Sequence, residues 1–239
     1  METLVEEKPY TKEFETTLID TARQFSIDLD GHGFDHELDV FEESMHNADF
    51  CEKNGIRVNR RVLTAAALFH DAGFHEDSSH RFITKEEYSA YILSRVGAWL
   101  GMDEEEIKVA EKCIIEATEQ GQHCSTIEAK CLRRGDLASS AQPRRKFMKR
   151  SLNIKRDGTR LNGFCSWEAF SEGTKKVFTD YLIEEDLSFG DFDDYDKNGV
   201  LKFITKAWRN VNSMRIENRS LVARARTVGY RTLQKLVEK

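Results

Sequence analysis

The chain has 239 residues, with 36 Lys and Arg against 42 Asp and Glu, a formal net charge of −6 and 39% hydrophobic residues. That length can bury a full core and that balance belongs to soluble globular proteins, so neither a disordered nor a membrane class is expected. The longest apolar runs fall far short of a bilayer span, and the start "METLVEEKPYTKEF" is acidic where a secretory signal is basic and then apolar, so a cytoplasmic address is expected.

Only Pro9 and Pro143 interrupt the chain, and period-two alternation of apolar residues is scarce, which predicts an all-α fold. A first helix is predicted over 11–27. The second, over 36–53, repeats Leu38, Phe41, Met45 and Ala48 at three- and four-residue steps and closes at Asn54-Gly55, which sets His36 in its first turn. The third, over 59–71, carries Val62, Leu63, Ala66, Ala67 and Leu68 in "RVLTAAALFHDAGF", an apolar run that asks for burial on most sides. His70-Asp71 end it and Gly73 is its stop signal. Helices follow over 84–100, 103–120 and 126–141, the last holding Asp136 beside Leu137 and Ala138. An interior carboxylate there needs a partner, because an unpaired one is costly to bury.

In 151–198 the signals are turns. Asp157-Gly158 and Asn162-Gly163 predict a small hairpin or a loop over the site. "DFDDYDKNGV" puts Asp194, Asp196, Asn198 and Gly199 at the first, third, fifth and sixth positions of a calcium loop, but Thr205 stands at the twelfth where that loop needs a bidentate glutamate, so an acidic turn is predicted. Helices are predicted over 167–184 and, with a break, 199–238. From 201 to 239 ten Lys and Arg face only Glu217 and Glu238. The apolar residues Leu201, Ile204, Trp208 and Val211, then Leu221, Val222, Leu233, Leu236 and Val237, predict helices packed on the core or on a second subunit with their basic side outward. A homo-oligomer is therefore open and nucleic acid is not the expected partner. One domain over 1–239 is expected, with a core over about 11–142 and a helical extension over about 143–239. Cys51, Cys113, Cys124, Cys131 and Cys165 are odd in number and lack Cys-x-x-Cys spacing, which predicts reduced thiols.

His36, His70, Asp71 and Asp136 together supply two imidazoles and two carboxylates, a donor set suited to a divalent metal. Singly, each is an ordinary core or surface residue; the ordered set inside helix-like contexts is the signal. The pieces "GHGFDHELDV", "AAALFHDAGF" and "RGDLASS", with "EEYSA" and "IIEAT" between them, resemble the HD superfamily of metal-dependent phosphohydrolases over about residues 11–142. The resemblance implies an HD-domain helical bundle with His36, His70, Asp71 and Asp136 as metal ligands. It departs from many relatives at Arg134, where they have an acidic residue, and at Gly135, where they have alanine. Binuclear relatives have further histidines near Lys85 or Glu86 and near Thr118, so one metal ion is expected here. Nitrogen and oxygen donors suit Mn, Fe, Ni, Co, Zn or Mg.

Such an ion polarises a phosphoryl oxygen and generates a water-derived nucleophile at neutral pH, and the resemblance implies cleavage of a phosphomonoester or phosphodiester, a nucleotide or related small molecule. Asp71 is expected to orient or deprotonate the water, and Glu76 and Asp77 to protonate the leaving group. Arg133 and Arg134 flank the last ligand, and Arg144 and Lys149 follow in "RRKFMKR"; these four are expected to meet phosphate oxygens, although a solvated basic helix face is the plainer reading of each. His32 is expected to touch substrate or stand behind the ligands. Two alternatives remain: a non-catalytic metal- or nucleotide-binding sensor, and an HD-type di-iron oxygenase.

Overall fold

Polar residues with a side-chain oxygen open most of the helices. Thr11, Asn59, Thr84, Asp103, Thr126 and Ser166 each accept a backbone N–H at an N-cap, and Thr84 with Glu87 and Asp103 with Glu106 complete capping boxes. The computed structural model describes residues 8–74 and 84–214. Its helices are α1 (Lys12–Ala22), α2 (Phe34–Lys53), α3 (Arg60–Phe69), α4 (Lys85–Gly97), α5 (Glu104–Thr118), α6 (Ile127–Asp136), α7 (Ala138–Ala141), α8 (Arg144–Asn162), α9 (Trp167–Tyr181), α10 (Glu184–Leu187) and α11 (202–214). Among the described residues the only β feature is an isolated antiparallel bridge between Tyr195 and Leu201, so the fold is all-α. No described helix is long and apolar enough to cross a membrane.

The chain divides into two compact units, Met1–Ala138 with Ile183–Asp193, and Ser139–Leu182 with Asp194–Lys239. In the first, α3 is central: it packs against α1, α2, α4, α5 and α6, and every residue from Arg61 to Phe69 is buried. A helix apolar on nearly all sides has no face to give to water, and surrounding it satisfies that pattern. Arg61 is tolerated inside because its guanidinium is matched. Nε donates to Glu106 Oε1 at 2.6 Å, one Nη donates to Glu106 Oε2 at 3.2 Å and to the Gly101 carbonyl at 2.8 Å, and the group lies 3.8 Å from the Phe14 ring centroid.

The second unit gathers Phe147, Met148, Val211 and Met214, with Trp167, Phe170, Phe178 and Trp208 packed around them. Trp167 Nε1 donates to the Met214 carbonyl, and Asn210 Nδ2 to the carbonyls of Ser140 and Gln142. The hairpin or loop expected from Asp157-Gly158 is not there: α8 runs through both residues, with Asp157 buried and Thr159 donating its hydroxyl to Lys155, one turn back. Asn162-Gly163 does end the segment, Gly163 taking the left-handed φ of +85° that closes a helix without a Cβ clash. The acidic turn is present. Asp196 accepts from the backbone N–H of Asn198 and Val200 and from Thr205 Oγ1, so its carboxylate is consumed within the turn. The helix expected over 126–141 breaks at Leu137 into α6 and α7, and the part of the last expected helix beyond residue 214 lies outside the described residues.

Candidate metal centre

Three helix ends converge on one point in the first unit. His36 is in the first turn of α2, His70 caps the C-terminus of α3, and Asp136 is the last residue of α6. Neighbours inside a helix diverge by about 100°, but α3 stops at Phe69, so His70 and Asp71 sit on the turn beyond it and both reach the same place. His36, His70 and Asp71 are buried, and one ligand atom from each lies within 4.8 Å of the others. His36 Nε2 is 3.5 Å from Asp71 Oδ2 and 3.2 Å from Asp136 Oδ1. His70 Nε2 is 3.4 Å from Asp71 Oδ2 and 3.9 Å from Asp136 Oδ1.

Two close approaches build this geometry. A Cβ on Gly135 would come 2.3 Å from Ser44 Oγ and 3.0 Å from the Val40 carbonyl, so the glycine is what lets α6 lie against α2 and bring Asp136 to His36. A Cβ on Gly73 would come 2.1 Å from the Lys85 carbonyl, and the Gly73 N–H donates to Ser89 Oγ at 2.8 Å, which seats the start of α4 against the His-Asp turn.

The imidazole of His70 is oriented. Its Nδ1 donates to the Ala67 carbonyl at 2.7 Å, so Nε2 is the nitrogen turned toward the carboxylates, with a lone pair when the ring is neutral, and that atom is buried without a well-formed hydrogen bond. Donors bound to a common ion at about 2.1 Å stand about 3.0 Å apart in octahedral and 3.4 Å apart in tetrahedral coordination. The shorter separations here match that spacing and the donor types match a borderline divalent ion. The residues fit a metal.

The electrostatics have the same cause. At Asp136 burial opposes ionisation, but the hydrogen bond to His36 and the charge of His70 hold the carboxyl down to about 2. Burial likewise opposes ionisation of Asp71, and His70, Lys85 and His32 together hold it well below the usual carboxylate range. Burial disfavours charge on His70, yet without a metal Asp71 and Asp136 outweigh it and lift the imidazole to about 9, so a bound cation would take the place of the Nε2 proton. The buried Asp71 and the partly exposed Asp136 are thus both held toward the carboxylate form and call for positive charge between the imidazoles. Glu37, beside His36 in sequence, differs: burial raises it to about 7, its Oε2 accepts from Ser26 Oγ, and its Oε1 has no hydrogen-bond partner.

His32 stands next to the cluster, its ring 6.3 Å from that of His36 and 4.3 Å from that of Phe74. Arg133 is a correction. It is fully buried and donates to Asp186 at 2.8 Å and to the carbonyls of Ala117, Gln122 and Glu116, so its guanidinium is committed to joining α5, α6 and α10 and is not presented to a phosphate. Arg134 is engaged in a similar way, donating to Asp193 at 2.6 Å and lying 4.7 Å from the Phe189 ring centroid. Arg144 and Lys149 are exposed residues of the second unit, where Arg144 donates to the Ser213 carbonyl. Glu76 and Asp77 lie outside the described residues.

Lys85 joins the cluster although no sequence pattern assigns it a role there. Its ammonium is 3.0 Å from Asp71 Oδ1, 3.0 Å from Glu86 Oε1 and 4.6 Å from the Phe74 ring centroid. The available signal was its place at the first position of a helix, where the helix dipole favours acidic residues and where Glu86 and Glu87 follow it. Compared with known proteins, the chain matches no family model, no curated protein and no solved structure.

Proposed function

We propose that the first unit is an HD-type metal-dependent phosphohydrolase that holds one divalent ion through His36, His70, Asp71 and Asp136 and cleaves a small phosphomonoester or phosphodiester such as a nucleotide. The observation that carries the reading is His70 Nε2, a buried nitrogen without a well-formed hydrogen bond, turned toward Asp71 Oδ2 at 3.4 Å and Asp136 Oδ1 at 3.9 Å. A divalent ion bound there supplies Lewis acidity toward a phosphoryl oxygen and lowers the pKa of water. The chain's own residues do the rest. The Ala67 carbonyl keeps His70 in the tautomer that offers Nε2, Asp71 accepts a proton or orients a water with its Oδ2, and His32 with Phe74 borders the cluster as the surface a substrate meets. The free thiols fit the cytoplasmic address that the reading carries.

The withdrawal of Arg133 into the core favours one second reading. With that cation committed elsewhere, a metal- or nucleotide-binding module without turnover needs fewer groups than an enzyme does. The test is to load the purified chain in turn with Mn, Fe, Ni, Co, Zn and Mg and offer aryl phosphates, aryl phosphodiesters, nucleoside monophosphates and cyclic nucleotides. Turnover that disappears in Asp71→Asn and Asp136→Asn supports the hydrolase. Metal binding with no ester cleaved by any loaded form assigns the binding module.

A further inference from the structure

We propose that Lys85 is a positioning residue that limits the cluster to a single metal ion by standing where a second cation would otherwise bind. This rests on the metal-binding reading above but not on catalysis. Asp71 has two oxygens with different neighbours. Oδ2 faces His36 Nε2 at 3.5 Å and His70 Nε2 at 3.4 Å, while Oδ1 is 3.0 Å from the Lys85 ammonium. A carboxylate with both oxygens free can bridge two ions or chelate one; with Oδ1 held by an ammonium, only Oδ2 is offered and the metal contact is monodentate.

The lysine is built into place from several directions. Glu86 Oε1 is the second carboxylate on the ammonium at 3.0 Å, and Glu86 is itself buried. The Phe74 ring lies beneath the ammonium at 4.6 Å. Gly73 lets the Lys85 backbone approach more closely than any side chain would allow. A cation in the first turn of a helix works against the helix dipole, so the helix gives no reason for this lysine and Asp71 does. Two carboxylates around one ammonium also describe what would remain without it: Asp71 Oδ1 and Glu86 Oε1, each 3.0 Å from the same point, a pair of oxygen donors that a divalent ion can take over.

The test uses the full chain and Mn(II) alone, measured by equilibrium dialysis and by the electron paramagnetic resonance of the bound ion. Wild type and Lys85→Arg, which keeps the cation, should bind one Mn(II) per chain with the signal of an isolated ion. Lys85→Gln and Lys85→His, confirmed folded by circular dichroism, should bind two, with the signal broadened by coupling between neighbouring ions. Two ions in wild type, or one ion bound with unchanged affinity in both Lys85→Gln and Lys85→His, would overturn the role of the lysine and leave the metal reading standing. No Mn(II) bound by any of the four proteins, with Zn(II) also failing to bind, would overturn both.

Discussion

Asp136 Oδ1 lies 3.2 Å from His36 Nε2 across the contact between α6 and α2, and the residue before Asp136 is the glycine on which that contact depends. The glycine and the ligand act together: without the close approach at Gly135, the last ligand would stand away from the first. The Gly135→Ala substitution places a methyl 2.3 Å from Ser44 Oγ and 3.0 Å from backbone atoms on α2 that cannot rotate away. Overpacking of this kind costs about 1–3 kcal/mol. The expected outcome is a lower urea midpoint together with weaker Mn(II) binding in the protein that remains folded. An unchanged midpoint and affinity would mean that α2 accommodates the methyl and that the glycine does not set the site.

The Arg133 side chain supplies the second prediction. Removing one partner of a buried ion pair leaves the other charge uncompensated, at a cost of about 3–5 kcal/mol. Arg133→Met leaves Asp186 with His123 Nδ1 at 3.1 Å and the Cys124 N–H at 3.0 Å, and takes from the Ala117, Glu116 and Gln122 carbonyls their donor. A large loss of stability by chemical denaturation is expected, with Mn(II) affinity per folded molecule retained. If stability is instead preserved and only KM for a phosphate ester rises, Arg133 binds substrate after all.

These two residues also show what could be read from the sequence. The run from Val62 to Phe69 is apolar on nearly all sides, which implies burial on most of them; the caps at Thr11, Asn59, Thr84, Asp103 and Thr126 mark their helices locally. The four converging ligand candidates were recognisable as a set because their residue types and order carry the signal. Adjacency to Asp136 says nothing about where the Arg133 guanidinium points, and its partner Asp186 is 53 residues away. The contact of Lys85 with Asp71 is illegible for a related reason: it depends on how closely α4 approaches Gly73, a tertiary fact. Asp157-Gly158 misled because turn chemistry is a local preference, which the packing of α8 through Phe147, Met148, Ser151 and Asp157 overrides.

Gly158 gives a prediction of opposite sign. It lies inside α8 with open space where a Cβ would project and without a left-handed φ. Gly158→Ala should therefore stabilise the second unit by up to about 1 kcal/mol, the usual difference in helix preference. Thermal unfolding should show the gain while metal binding in the first unit stays as in wild type. Destabilisation would mean that the helix does not persist through this residue.

The last prediction concerns linkage between the metal and stability. An ion that binds the folded chain alone stabilises it by about 2.7 kcal/mol at a free concentration one hundred times its Kd. For a protein of this size that corresponds to a rise in Tm of about 5–10 °C. Mn(II) or Zn(II) should thus raise the melting transition of wild type, and a chelator should reverse the rise. His70→Ala removes the nitrogen that the Ala67 carbonyl holds toward the two carboxylates, and Asp136→Asn removes one of the charges that call for a cation, so both should lose most of the metal-dependent rise. Melting without added metal is a separate matter. There Asp136→Asn relieves repulsion with the Asp71 carboxylate as well as losing an interaction with His36, so its metal-free Tm should move less than its metal-loaded Tm. Equal metal-dependent rises in wild type and both variants would place the ion somewhere other than this cluster, and the assignment of all four ligands would fall with that result.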